Sequence, residues 1–358
     1  MPNLRFTEQP LSEWMSSGGK DSDIVISSRV RIARNLLHAP FPMLATSEQS
    51  EDVLRKLQDV LDDERIEDFG KIYPILLDDL EDLDKKVLVE KHLISPSLAN
   101  ESKSGAVFIS ENESLSIMVN EEDHLRIQCL YPGFQVQEAW ERATSVDDIF
   151  EDHVDYAFDD NRGFLTSCPT NVGTGLRASV MMHLPALVLT GQINRILSAV
   201  SQVGLTVRGI YGEGSEAMGN LFQISNQITL GQSEDEIIEN LYSVVLQIID
   251  HEKTARETLL TESHLRMVDR VMRSYGILSH AAIMESKEAA QRLSDVRLGV
   301  DLGLIDTLSP QVLNELNVMT QPGFLQKIFS ENMSPGERDM YRAKLIRDKV
   351  NVNNGNEN

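Results

Sequence analysis

Residues 168–185 read CPTNVGTGLRASVMMHLP, a stretch made mostly of residues that are poorly suited to a hydrophobic core. A lone cysteine is followed by Pro-Thr-Asn, by glycines at positions 173 and 175, and by Arg177. Glycine allows a backbone to approach a neighbouring group closely, and exposed backbone N–H groups beside an arginine suit phosphate. Taken alone, the loop also fits a second interpretation, because glycine-rich turns that bind nothing are common.

Three further segments strengthen the first interpretation. They are SSRVRIARN (27–35), NEEDHLRIQ (120–128) and RGIYGEGSEAMGNLFQISNQITLG (208–231). Together with the first stretch, and in the same order over residues 24–250, they resemble the ATP:guanidino phosphotransferases, which include creatine and arginine kinases. Within that superfamily the chain most resembles the bacterial protein arginine kinases. The resemblance implies a catalytic domain of the phosphagen-kinase type.

The size and composition indicate a soluble globular protein. The chain has 358 residues, enough for two domains with substantial cores. No apolar run approaches the ~20 residues that span a membrane, and the N-terminus lacks the apolar segment of a signal peptide. The two cysteines have neither disulfide nor metal spacing. We therefore expect a cytoplasmic protein with no membrane partner.

The charge of the chain is strongly acidic, at −23. This argues against nucleic acid as a direct partner, because phosphate binding needs clustered cations, and favours basic proteins as partners. Solubility alone would also explain an acidic surface. Against this background, arginines are concentrated in the motif segments, which indicates a polyanionic ligand such as ATP. These arginines are Arg29, Arg31, Arg34, Arg126, Arg177 and Arg208.

The hydrophobic pattern predicts the α+β class. Helices are predicted over 47–67, over 186–203, and from a capping box at 233–236 into the 250s. Short strands joined by hairpins, with few crossing helices, indicate a largely antiparallel sheet flanked by helices. The predicted strands are 86–90, 106–110, 115–120, 125–130, 163–168, 205–211 and 221–230. The sequence holds no P-loop and no HRD or DFG motif, so nucleotide binding must use another construction.

From about residue 256 the pattern is helical to the end. The predicted helices are 262–275, 286–293, 309–319 and 335–350. We therefore predict a catalytic domain over 1–255 and an all-helical C-terminal domain over 256–358.

Cations are the main requirement of phosphoryl transfer, together with in-line positioning. Arg29 and Arg31 lie two residues apart, so on an extended segment both face one side and can hold one phosphate chain. A single arginine is more often part of a surface salt bridge. The family resemblance implies Mg²⁺ held through the ATP phosphates, without metal ligands from the protein. It also implies ATP-binding residues at Ser27, Ser28, Arg29, Val30, Arg31, His92, Arg126, Arg177, Ala178, Ser179, Val180, Met181, Arg208, Gly209, Ile210, Tyr211 and Gly212.

The acceptor guanidinium needs carboxylates, because it stays protonated and is a poor nucleophile. Two carboxylates can hold its plane and accept the proton as the N–P bond forms. By resemblance Glu122 is the catalytic glutamate, whereas we expect its neighbour Glu121 to face away. Glu213 is the preferred second carboxylate, and a shifted alignment selects Glu216 instead. Without the resemblance, residues 121–123 would be interpreted as a solvated acidic turn.

The two cysteines are assigned different roles. Cys168 corresponds to the family's active-site cysteine, where a thiolate would orient the guanidinium without forming a covalent intermediate. The alternative for Cys168 is an inert buried cysteine. Cys129, inside a predicted strand, is interpreted as core packing.

Protein arginine is the predicted acceptor for two reasons. In creatine and arginine kinases a helical domain precedes SSRVR, whereas here SSRVR begins at residue 27, so we expect a site without that domain and open enough for a protein side chain. The C-terminal region also carries the RDxxRA pattern at Arg338, Asp339, Arg342 and Ala343. By resemblance this pattern binds phosphoarginine and serves allosteric activation; from sequence alone it is more typical of a solvated charged face.

Partners follow from the resemblance alone. It implies protein substrates with exposed arginines, including a heat-shock repressor, and a stress-response role that marks them for a Clp protease ATPase. It also implies a zinc-binding activator protein and a homodimer formed through the C-terminal domain. Two alternatives stay open: a kinase of free arginine or another small guanidino compound, and a phosphoarginine-binding adaptor with a vestigial kinase site.

Overall fold

The computed structural model describes residues 5–9, 12–16, 18–209, 217–329 and 333–352. In this part of the chain eight strands form one antiparallel sheet in the order β2-β3-β4-β5-β1-β8-β10-β9, and β6 pairs with β7 in a small hairpin. The strands are β1 (Val25–Arg34), β2 (Ile72–Leu76), β3 (Ala106–Ser110), β4 (Leu115–Val119), β5 (Leu125–Pro132), β6 (Phe158–Asp159), β7 (Gly163–Phe164), β8 (Leu176–His183), β9 (Leu205–Gly209) and β10 (Leu221–Asn226).

Helices flank the sheet and make up the C-terminal third, which confirms the predicted α+β class. They are α1 (Arg5–Glu8), α2 (Ser47–Asp59), α3 (Asp82–Glu90), α4 (Pro96–Glu101), α5 (Val136–Glu151), α6 (Pro185–Leu189), α7 (Ile193–Gln202), α8 (Glu234–Glu262), α9 (His264–His280), α10 (Ser286–Asp301), α11 (Pro310–Met319), α12 (Pro322–Phe329) and α13 (Pro335–Val352). Among the described helices, none is both long and apolar enough to cross a membrane.

Helix capping explains where two of these helices begin. The Thr46 hydroxyl accepts the N–H of Gln49, whose side chain accepts the N–H of Thr46, so a capping box opens α2. Ser233 and Glu236 form the same reciprocal pair at the start of α8, as the sequence predicts. Polar residues at these two positions therefore set the start of both helices.

The main core lies on one face of the sheet. β1 is central, paired with β5 on one side and β8 on the other. Because side chains alternate along a strand, Val30 and Ile32 of β1 enter this core, while Arg29 and Arg31 point to the opposite face. Helices α5 and α8 pack against the core face of the sheet.

Two predicted elements are wrong. Residues 86–90 form the end of helix α3 rather than a strand, since burying Val87 and Leu88 on one helix face outweighs the β-propensity of a valine-rich run. The helix predicted over 186–203 is divided into α6 and α7 at Gly191, which has a φ of +71°.

Other predicted boundaries shift. Residues 60–62 and 64–67, at the end of the helix predicted over 47–67, lie in 3₁₀ turns, and the second turn continues to Phe69. Of the strand predicted over 163–168 only Gly163–Phe164 forms, and the strand predicted over 221–230 ends at Asn226.

The C-terminal helices α9–α13 surround a second core and are joined to the sheet region. The Glu90 carboxylate, at the end of α3, accepts the backbone N–H groups of Gly323 at 2.7 Å and Phe324 at 2.9 Å, which open α12. Lys327 forms an ion pair with Asp84 at 2.6 Å. The continuous helix α8 runs through the predicted domain boundary at 255, and that division stays a prediction.

Glu252, fully buried in α8, provides a test of this core. Its carboxylate accepts the backbone N–H groups of Ala186 and Leu187, each at 3.0 Å. It also pairs with Arg256 Nε at 3.0 Å. Glu252→Ala leaves a buried guanidinium and two helix N–H groups short of a partner. We expect the free energy of unfolding, measured by urea denaturation, to fall by about 3 to 5 kcal/mol.

The matched control is Glu257→Ala, which removes an exposed carboxylate from the same helix. Its free energy of unfolding should stay within about 0.5 kcal/mol of the wild-type value. Equal losses in the two variants would contradict the assigned role of Glu252.

Candidate active site

A cleft of about 740 Å³ lies on the face of the sheet opposite the main core. Its floor consists of the side chains that alternate away from the core on six neighbouring strands. From the sheet these are Met118, Arg126, Gln128, Arg29, Arg31, Arg177, Met181, Leu221, Gln223 and Arg208. The cleft thus collects five arginines from four separate motif segments.

The strand register brings these arginines together. Arg31 of β1 lies directly opposite Arg177 of β8, and Arg208 of β9 lies opposite Gln223 of β10. The Arg29 guanidinium donates to Gln223 Oε1 at 3.2 Å. Antiparallel pairing therefore converts four distant motifs into one cationic surface.

The arginines of this surface are buried and repel one another. Burial, followed by the charges of Arg177 and Arg126, lowers the pKa of Arg29 to about 10. Burial and the same neighbours, together with Arg29, lower the pKa of Arg31 well below its usual value. The buried Nε of Arg31 has no hydrogen-bond partner among the described residues. These groups fit a bound polyanion, which would supply the missing acceptors and countercharge.

His92 closes one side of the cleft. It follows α3 with a φ of +60°, and its carbonyl accepts Gln128 Nε2 at 2.8 Å. Burial, and then Arg29 and Arg31, lower the pKa of His92 to about 3, so its imidazole is neutral at physiological pH. The ring of Trp14 lies 5.5 Å from the His92 ring, and Trp14 also lines the cleft.

Glu122, the predicted catalytic carboxylate, forms an ion pair with Arg126, one of the cleft arginines. Arg126 pairs with Glu121 at 2.6 Å and with Glu122 at 3.2 Å. The expectation that Glu121 faces away is wrong, because Asn120 has a φ of +56° and the chain reverses there, which ends the strand alternation. Glu121 is buried, whereas the Glu122 side chain is 49% exposed and accessible to a substrate.

The turn that carries Glu122 is tied to the Cys168 loop by one buried carboxylate. Asp123 Oδ1 accepts the backbone N–H of Ser167 at 2.7 Å and Asn35 Nδ2 at 2.6 Å. Cys168 is partly exposed, and its Sγ lies 3.0 Å from Thr170 Oγ1. The two predicted catalytic segments are therefore neighbours, although neither Glu122 nor Cys168 lines the cleft itself.

The glycines of the Cys168 loop do approach another group closely, but that group is the protein backbone. A Cβ at Gly173, which has a φ of +115°, would lie 2.2 Å from the carbonyl oxygen of Thr229. A Cβ at Gly175 would lie 2.5 Å from the carbonyl oxygen of Ala33. Neither glycine lines the cleft, so the predicted phosphate contact of this backbone is corrected to a packing role.

Several residues assigned to ATP by resemblance lie elsewhere. Ser28, Val30, Ala178 and Val180 are fully buried on the core side of the sheet, so their side chains do not reach the cleft. Ser27 and Ser179 line a small cavity beside it, while Met181 and Gly209 line the cleft itself. Five predicted residues lie outside the described part of the chain: Ile210, Tyr211, Gly212, Glu213 and Glu216. Cys129 is a core residue, as predicted, and burial raises its pKa to about 12.

The RDxxRA residues lie on α13, away from the cleft. Arg342 is buried and donates to the carbonyl oxygens of Thr320 at 3.0 Å and Met284 at 2.9 Å. It also pairs with Asp339 at 2.5 Å, while Arg338 is partly exposed. In this arrangement Arg342 holds α13 against neighbouring helices, and phosphoarginine binding by the motif stays a prediction.

Sequence reasoning missed one whole wall of the cleft. Helices α10 and α11, with the turn before α12 and the first residue of α12, contribute Ser286, Ala290, Asn314, Asn317, Val318, Thr320, Gln321 and Pro322. Trp14, Gln128 and Gln223 were also missed. Gln128 lies two residues after Arg126 in the strand LRIQCL, so strand alternation could have placed it on the cleft face. No local pattern marks the residues of α10 and α11 as cleft residues.

Family comparisons agree with this geometry. Residues 52–255 match the ATP:guanido phosphotransferase, C-terminal catalytic domain, and residues 264–358 match the protein-arginine kinase McsB C-terminal domain. The chain is 60% identical over 352 residues to a protein-arginine kinase of Brevibacillus brevis, covering 98% of this chain and 99% of the relative. It is 56% identical over 347 residues to one of Bacillus subtilis, covering 97% and 95%.

Solved structures show the same fold at lower identity. Lombricine kinase superposes with a TM-score of 0.57 at 24% identity, covering 70% of this chain and 71% of that one. The duplicated taurocyamine kinase of Schistosoma mansoni with transition-state analog components superposes with a TM-score of 0.59 at 20% identity, covering 83% and 49%. Given both matched domains and the near full-length relatives, the chain belongs to the protein-arginine kinase family of ATP:guanido phosphotransferases.

Proposed function

We propose that this chain transfers the γ-phosphoryl group of Mg·ATP to arginine side chains of proteins, using the arginine-lined cleft for the nucleotide. The observation that carries the proposal is the cluster of like charges around Arg31, whose buried Nε lacks a partner among the described residues. Bound phosphates would supply hydrogen-bond acceptors and neutralise the repulsion. The near full-length likeness to protein-arginine kinases supports protein arginine as the acceptor.

The acceptor would bind at the edge of the cleft marked by Glu122. This carboxylate lies beside Arg126, so a guanidinium held by Glu122 would lie next to a phosphate held by Arg126. An Nη atom of the substrate arginine attacks Pγ, and the N–P bond forms as the bond from Pγ to the β–γ bridging oxygen breaks. ADP leaves with that electron pair, and Glu122 accepts the proton lost by the nitrogen.

The remaining groups have supporting roles in this proposal. Bound Mg²⁺ would neutralise charge on the phosphates, and the cleft arginines suit the phosphate oxygens rather than the metal. Asp123 joins the Glu122 turn to the loop that carries Cys168, so Cys168 would help to orient the guanidinium. Glu213, with Glu216 as its alternative, is the proposed second carboxylate and lies outside the described residues.

We also propose the wider role that the family resemblance implies. The match of residues 264–358 to a protein-arginine kinase C-terminal domain supports that resemblance, and from it we propose phosphoarginine binding, allosteric activation and homodimer formation there. The proposed substrates include a heat-shock repressor, and the proposed partners are a Clp protease ATPase and a zinc-binding activator in the cytoplasm.

The first test is phosphorylation of an arginine-rich protein and, separately, of free arginine with Mg·ATP. Mass spectrometry at non-acidic pH preserves N–P bonds. We expect phosphoarginine on the protein and little on the free amino acid. Transfer to free arginine alone would instead indicate a small-guanidine kinase, and transfer to neither, with phosphoarginine peptides bound, would indicate an adaptor.

The nucleotide assignment is tested by Arg31→Ala. Loss of a charge-assisted contact should raise the dissociation constant for ATP by about 10- to 100-fold, measured by calorimetry. Arg273→Ala is the control, because Arg273 is 74% exposed on α9. Unchanged ATP affinity in Arg31→Ala would argue against the cleft as the phosphate site.

The role of Glu122 is tested by Glu122→Gln, which keeps the shape of the side chain but removes the proton acceptor. We expect kcat to fall by about 100-fold or more, with the dissociation constant for ATP nearly unchanged. Glu141→Gln on the exposed face of α5 should leave kcat unaffected. Equal kcat values for the two variants would rule out proton transfer to Glu122.

A further inference from the structure

The lining of the cleft changes from cationic to apolar along the strands. Arg31 and Arg177 face each other at one position of the β1–β8 register. Toward the other end of these strands the cleft is lined instead by Ile26, Met181 and Leu221. Ile26 is five residues from Arg31, about 16 Å along an extended strand. A nucleotide with its phosphates on the arginines can therefore extend toward an apolar compartment.

The apolar compartment is completed by the C-terminal helices. Val318 of α11 packs in one cluster with Trp14 and Ile26, and Met181 and Leu221 pack against that cluster. This contact places α11 at the apolar end of the cleft. A flat, largely apolar ring such as a nucleobase suits such a compartment, provided that polar groups meet its edge.

Two amides on this wall can meet that edge. Asn317 and Gln321 both line the cleft and lie one helical turn apart. The Nε2 of Gln321 donates to the carbonyl oxygen of Asn317 at 2.9 Å, which leaves Gln321 Oε1 as an acceptor. The Asn317 side-chain amide makes no hydrogen bond to another described residue.

We propose that Asn317 and Gln321 bind the edge of adenine and make the C-terminal region a determinant of base specificity. Gln321 Oε1 accepts from the exocyclic amino group of adenine, and the Asn317 amide donates to a ring nitrogen. Guanine presents a carbonyl oxygen where adenine has its amino group, so it would face the oxygen of Gln321. The proposal rests on the proposed nucleotide function of the cleft.

Hydrogen bonds fix α11 and α12, which carry this wall, to the rest of the cleft. Asn314, one turn before Asn317, donates to the carbonyl oxygen of Met15 at 3.0 Å and accepts from Arg297 at 2.7 Å. On the other side, Glu90 caps α12 through Gly323. These contacts hold the backbone that carries Asn317 and Gln321 beside the cleft before a ligand enters.

The test is to measure dissociation constants by calorimetry for ATP, GTP and inorganic tripolyphosphate, using the full chain. Tripolyphosphate contacts the arginines but has no base. Asn317→Ala and Gln321→Ala should each weaken ATP binding by about tenfold and reduce the preference for ATP over GTP. Tripolyphosphate binding should match the wild type, which also reports that the variants are folded.

Gln311→Ala is the matched control, because it removes an amide from the same helix without touching the cleft. It should leave all three dissociation constants unchanged. Wild-type ATP affinity and ATP/GTP preference in both cleft variants would overturn the proposal, as would an equal loss of ATP and tripolyphosphate binding. If the wild-type protein binds neither ATP nor tripolyphosphate, the proposed function of the cleft fails instead.

Discussion

Several arginines are buried together on one face of the β-sheet, and the surrounding structure has to compensate for their charge. Arg29 and Arg31 lie in the central strand, and their lowered pKa values reflect lost hydration and mutual repulsion. Such a cluster is unfavourable by itself, so the opposite face of the same strands must supply the stability. The apolar core beneath β1, β5 and β8 does so.

The catalytic edge of the cleft is organised by buried carboxylates rather than by the arginines. Glu121 fixes Arg126, and Asp123 joins the Glu122 turn to the Cys168 loop. Both acids are buried, which leaves Glu122 as the exposed member of the three. One acidic run thus divides into two positioning groups and one group that can meet a substrate.

Much of the site could be predicted from sequence, because its arginines lie in strands where a period of two decides which face a side chain takes. The same rule failed at Glu121, and the separate expectation of a phosphate contact near Gly173 was also wrong. A positive φ at Asn120 ended the alternation, and Gly173 proved to be packed against Thr229, which is distant in the sequence. Valine-rich residues 86–90 were misassigned because tertiary packing overrode a weak local propensity.

Short, local patterns in the sequence were enough to predict the family, the α+β class, the cationic strands and the acidic turn. The folded chain was needed to see that helices α10 and α11 form a wall of the same cleft, with Asn317 and Gln321 beside it. It was also needed to see that Arg342 is buried against the carbonyl of Thr320. The physical reason is that these contacts join residues far apart in the chain, where burial and hydrogen bonding across helices leave no local periodic signal.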